Sequence, residues 1–141
     1  MKRKLLVIDT SVMVKWANSQ NENDLNQAYK VLINAEKKKV ELLAPELAKY
    51  EIGNALLNKK MLLPETKLSL QTIYSLPIIF IPTNQESATE TMEIAKENSL
   101  TYYDAAFVQL AREKNATLVT ANPKHHRQFK DIKVIDLKNY R

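Results

Sequence analysis

"KLLVIDTSV", residues 4–12, carries four consecutive apolar side chains into an acid and two hydroxyls. An unbroken apolar run of this length is the pattern of a strand buried on both faces, as in a parallel sheet. Ligands of such sheets bind beyond the carboxyl ends of the strands, so Asp9 stands where a ligand would sit. A carboxylate is costly to desolvate at that position unless something there draws on its charge.

Outward from this run, short apolar stretches alternate with longer amphipathic ones. Leu5 to Asp9 reads as a strand. A helix follows over 24–38, with Leu25, Ala28, Tyr29, Leu32, Ile33 and Ala35 at helical spacing, and Val40 to Ala44 is a second strand. Pro45 fits the first position of a helix that runs toward Lys60 through Leu47, Ala48, Tyr50, Ile52, Ala55 and Leu56. A helix over 64–76 precedes a third strand, Ile78 to Ile81. Gln85 to Glu97 is helical with Ala88, Met92 and Ala95 inward, and Tyr102 to Lys114 is helical again. A fourth strand spans 116–120, a short helix or turn 123–129, and a last strand 132–135. Strands separated by helices demand right-handed crossovers, which predicts an α/β fold: a three-layer α/β/α sandwich on a mainly parallel central sheet. No repeat, linker or low-complexity segment divides the 141 residues, so one domain over 1–141 is expected.

Composition narrows the function. At 45% hydrophobic and 26% charged residues the chain is globular rather than disordered. Its apolar runs fall far short of the ~20 residues that span a bilayer, and no signal-peptide core follows Met1, so no membrane is expected. Without cysteine there is no disulfide, thiolate nucleophile or thiolate metal site, which suits a cytoplasmic protein. The single glycine, Gly53, lies in a helical stretch. It leaves no Gly-rich phosphate loop, hence no nucleotide cofactor, and no Gly-x-Ser-x-Gly elbow for a serine hydrolase. Net charge is +5: residues 2–4 carry +3, residues 124–141 carry +4, and the remainder sums to −2. Basic ends fit a polyanion such as RNA, or serve solubility alone.

Acids fall where a parallel sheet presents ligands. Asp9 follows the first strand and Asn122 the fourth; Asp104 lies in the first turn of the helix before that strand, and Glu51 leans toward the apolar face of its helix. Each has a plain structural reading. Asp9-Thr10-Ser11 caps a following helix, Thr101 to Asp104 forms a capping box, Asn122-Pro123 is a cap with a first-turn proline, and Glu51 pairs with a lysine. Together they imply more. Three carboxylates gathered at one sheet edge, with no arginine beside any of them in sequence, repel one another unless a cation sits between them. Oxygen ligands of this kind suit Mg²⁺ or Mn²⁺. The adjacent His125 and His126 read as surface residues outside this site, and Lys37 to Lys39 as a solvated helix end. Trp16, Tyr102 and Tyr103 fit base stacking or, equally, core and interface.

The blocks "VIDTSV", "LAKYEIGNAL", "LTYYDAAFVQLA" and "ATLVTAN" resemble, in order and spacing, the signature blocks of PIN domains, most of all the VapC-type toxins of toxin–antitoxin pairs. The resemblance covers Leu5 to Leu137. It implies a Mg²⁺- or Mn²⁺-dependent ribonuclease in which Asp9, Glu51 and Asp104 are the catalytic, metal-binding acids and Ser11 and Thr120 flank them. The family usually has a fourth acid where this chain has Asn122, whose carbonyl brings no charge, so one firmly held ion, or a second recruited only with substrate, is expected. The resemblance further implies an RNA substrate, a homodimer and an antitoxin whose tail fills the groove. The alternative is a PIN-like domain that has lost cleavage and only binds RNA or a partner. A phosphoacceptor receiver plan would place adjacent acids in the first loop, where Thr10 and Ser11 stand.

Overall fold

The computed structural model describes residues 3–126 and 129–141, with the backbone alone at 125. Among them, β1 (Lys4–Ile8), β2 (Val40–Pro45), β3 (Ile78–Ile81), β4 (Thr117–Thr120) and β5 (Val134–Asp136) form one sheet in the order β3-β2-β1-β4-β5. Every neighbouring pair is parallel. Six α-helices flank it: α1 (Thr10–Ala17), α2 (Leu25–Glu36), α3 (Ala48–Leu57), α4 (Leu63–Tyr74), α5 (Gln85–Asn98) and α6 (Tyr102–Lys114). Right-handed crossovers put α1 to α4 on one face and α5 and α6 on the other. Helix packing follows that division, with α1 against α2, α3 and α4, and α5 against α6. The architecture is the three-layer α/β sandwich the sequence predicts. No helix among the described residues is long and apolar enough to cross a membrane.

The central strands explain their own sequences. Val7 and Ile8 of β1, Leu42 of β2 and Leu118 and Val119 of β4 are fully buried, whereas β3 and β5, at the edges, are half-buried. A strand covered on both faces has no solvent side, so its apolar run does not alternate. From β1 the chain winds outward to β2 and β3, then returns on the other side of β1 to β4 and β5. The direction of winding thus reverses between β1 and β4, and their carboxyl ends frame the crevice where such sheets take ligands.

Several local expectations are revised. Pro45 ends β2, in register with Ile81, instead of opening a helix; a proline is tolerated at a strand end, and the N–H of Glu46 makes the next bond, to the Ile81 carbonyl. Helix α3 therefore starts at Ala48 and stops at Leu57, and its Tyr50 is 75% exposed. On α2 the buried stripe is Ala28 and Val31, with Tyr29 and Ile33 exposed. On α5 the inward residues are Ser87, Thr91, Ile94 and Ala95, while Met92 is exposed. The hydroxyls can be buried because the helix satisfies them: Thr91 Oγ1 donates to the Ser87 carbonyl, and Ser87 forms a capping box with Asn84. The last strand lies at Val134–Asp136, later than the apolar run suggests. Lys37 to Lys39 are exposed at the end of α2, as expected.

Candidate active site

Asp9 sits one residue past β1 at the N-cap of α1, and its N–H donates to the Val119 carbonyl of β4 at 3.0 Å. That bond locks the acid into the gap between the two central strands. Its side chain, 6% exposed, makes no capping bond to α1. Oδ2 instead accepts from Ser11 Oγ at 2.6 Å and from Thr120 Oγ1 at 2.9 Å. These hydroxyls are themselves fixed from behind: the N–H of Ala121 donates to Ser11 Oγ and that of Asn122 to Thr120 Oγ1, each at 3.0 Å. A hydroxyl has one proton to give, and here both protons go to Asp9, so Ser11 and Thr120 position the carboxylate. Oδ1 is left without a donor among the described residues.

Glu51 is half-buried in α3, and its Oε1 accepts from Thr10 Oγ1 at 2.8 Å. Its carboxyl is pushed from the ordinary 4.5 to about 6, chiefly by burial. The Thr10 hydrogen bond opposes that rise, and the charges of Asp9 and Asp104 add to it. Asp104 stands in the first turn of α6; its N–H is capped by Thr101 Oγ1 at 3.0 Å, while its carboxylate has no protein partner among the described residues. The fold therefore brings Glu51 within electrostatic reach of both Asp9 and Asp104. No described basic side chain pairs with any of them. Lys15, the nearest on α1, is buried and committed to Glu22 at 3.3 Å and the Asn23 carbonyl at 2.7 Å, so the lysine pairing of Glu51 weighed above does not occur.

Among the described residues no three acids or histidines close to a ready-made cage around an ion. Mg²⁺ does not require one, since it commonly takes one or two carboxylates and keeps several waters. An all-oxygen set of uncompensated carboxylates fits such an ion. Asn122 is exposed at the head of a short 3-10 turn (Pro123–His125) and makes no side-chain cap, leaving its amide available on the same rim.

The family model for the PIN domain matches residues 6–131. The chain belongs to the PIN domain family. Solved structures share its PIN fold. VapBC2 of Rickettsia felis, bound to a promoter DNA fragment, superposes with a TM-score of 0.70 at 18% identity, covering 93% of this chain and 97% of that one. VapC20 of Mycobacterium tuberculosis, a sarcin–ricin loop cleaving toxin, gives 0.68 at 14% identity, with 91% and 98% covered. A toxin–antitoxin complex of Klebsiella pneumoniae gives 0.64 at 17% identity, with 94% and 97% covered. No curated protein matches the chain in sequence.

The structure revises two further readings of this PIN domain. His126 is not a surface residue: it is 1% exposed, and neither ring nitrogen has a hydrogen-bond partner among the described residues. The side chain of His125, Met1, Lys2, Arg127 and Gln128 lie outside the described residues. The basic amino terminus is also remote from the acids, because Arg3 and Lys4 precede or begin β1 and the strand separates Lys4 from Asp9 by about 16 Å. Among the described C-terminal cations, Lys124, Lys138 and Arg141 follow strand carboxyl ends, and Lys138 pairs with Asp136 at 3.7 Å. Thr10, absent from the sequence-based site, orients Glu51. The one signal for it was its place beside Asp9 at the end of β1.

Proposed function

We propose that this PIN domain, one unit over residues 1–141, is a Mg²⁺- or Mn²⁺-dependent endoribonuclease and the toxin of a toxin–antitoxin pair. The observation that carries the reading is the trio of Asp9, Glu51 and Asp104 at the β1–β4 crevice, uncompensated by any described basic group. Asp9 through Oδ1, Asp104 and Glu51 would hold the ion. When bound, it supplies charge neutralisation at the scissile phosphate and a more acidic water. The chain's share is orientation: Ser11 and Thr120 aim Asp9, and Thr10 aims Glu51.

The toxin assignment also draws on the solved toxin–antitoxin relatives of the same fold and on an apolar surface. Tyr50 and Leu57 of α3, Leu62 before α4, and Leu63, Leu68 and Tyr74 of α4 are exposed, as an antitoxin or a second copy of the chain would use. The compartment in this reading is the cytoplasm. Asn122, uncharged on the rim, favours the second reading, in which the domain binds RNA or a partner without cleaving it.

Metal removal decides between them. Purified protein is expected to cut a single-stranded RNA in Mg²⁺ or Mn²⁺ and to stop in EDTA, with activity returning on metal addition. Cleavage that persists in EDTA, or its absence under every metal tried, defeats the nuclease reading. Asn122→Asp adds a fourth charge and is expected to tighten Mn²⁺ binding about tenfold. Calorimetry showing unchanged affinity would place residue 122 outside the ion's reach.

A further inference from the structure

A second concavity opens at the carboxyl edge of β2 and β3, on the α5–α6 side of the sheet, with a volume of about 370 Å³. That is the size of a small-molecule site. Its apolar lining includes Leu47, Ile81, Pro82, Ala106 and Leu110. It shares two elements with the acids: Leu47 precedes the helix of Glu51, and Tyr102, two residues before Asp104, also lines it.

Its charged lining leans acidic, with Glu46 and Glu113 against the one cation Lys114, and Thr83, Asn84 and Tyr102 as neutral polar groups. Gln109 is 5% exposed, and its Nε2 donates to Glu113 Oε1 at 3.2 Å. Gln109 Oε1 receives no hydrogen bond among the described residues, so an acceptor on this largely buried side chain is left open. The hydroxyls of Ser87 and Thr91 are spent within α5. Of the cations, only Lys114 lines the cavity, and it lies 3.9 Å from Glu113. A cavity with two carboxylates to one ammonium disfavours phosphate, and its apolar walls with an open acceptor suit a flat group whose edge donates hydrogen bonds.

We infer that this cavity is a nucleobase subsite that selects guanine at a nucleotide flanking the bond cut at Asp9, Glu51 and Asp104. The inference rests on the nuclease reading for its substrate class. Guanine is the base whose pairing edge presents two adjacent donors, N1–H and N2–H₂, to an amide oxygen and a carboxylate side by side. Tyr102 offers an aromatic face against which a base can stack. An acidic lining disfavours the backbone of the same RNA, so the base enters while the phosphates remain outside.

The test is metal-free binding, which proceeds whether or not the protein cleaves. Fluorescein-labelled U₅ and the same pentamer with one central G are titrated by anisotropy in EDTA. The wild type is expected to prefer the G-containing RNA about tenfold or more. Glu113→Ala, at an exposed position, and Gln109→Leu should each erase that preference, read as the ratio of affinities for the G-containing RNA and U₅. Equal affinities in the wild type, or a G preference that survives both variants, overturn the assignment. In that second case the cavity is free for a protein partner. Loss of cleavage with an intact G preference would sink the nuclease reading and leave the subsite standing.

Discussion

Asp9→Asn is expected to lower RNA cleavage at saturating Mg²⁺ by a factor of about 100 or more and to leave the fold intact. The substitution keeps the shape of the side chain and one oxygen for Ser11 and Thr120 to donate to. It removes the charge and turns the atom facing the crevice into a donor, which repels a cation. The stability terms nearly cancel: two charge-assisted hydrogen bonds weaken, while a buried charge and its repulsion of Glu51 disappear. Denaturant unfolding should therefore move by no more than about 1 kcal/mol. A variant as active as its parent in a gel-based cleavage assay would show that Asp9 holds nothing the reaction needs.

Glu51→Gln should cost comparable activity and yet stabilise the metal-free protein. The folded state holds the Glu51 proton more tightly than the unfolded chain does, because its carboxyl titrates near 6 against the ordinary 4.5. Ionising it therefore destabilises the fold. Stability from this group is complete below pH 4.5, declines as pH rises through 6, and is level above about 7. Allowing for solvent screening of a half-buried group, the decline amounts to about 1 kcal/mol. Glutamine has nothing to ionise, so the difference in unfolding free energy between variant and parent should grow from near zero at pH 4 to about 1 kcal/mol at pH 8. Paired urea titrations across that range check it. A difference that stays flat with pH would mean that neither burial nor the charges of Asp9 and Asp104 raise the Glu51 carboxyl in the folded protein. The same arrangement explains why a divalent cation would stabilise this protein: it would remove a repulsion the chain tolerates unaided.

Where local physics was sufficient, the residues themselves disclosed the structure. Unbroken apolar runs in β1, β2 and β4 are what double burial requires, and their spacing by helices forces a parallel sheet. α1 escaped the helical pattern because Val12, Met13, Val14, Lys15 and Trp16 are all buried, so no polar stripe marks its outer face. Met92 and Tyr50 were placed inward by periodicity, yet which side of an amphipathic helix meets the core depends on what it packs against. His126 shows the same limit from the polar side, since nothing in its neighbours reveals that the chain folds over it.

By itself the sequence determined the α/β class, the five strands, and the set of acids, because hydrophobic period and residue chemistry are local properties. Only the tertiary structure decided that Asp9 and Asp104 both repel Glu51, that Ser11 and Thr120 turn Asp9, and that Gln109 lines a cavity with an acceptor left open. Those facts depend on distances between residues as far apart as 111 positions along the chain. Such distances are set by the strand order and the reversal at β1 and β4, which no short stretch of sequence encodes.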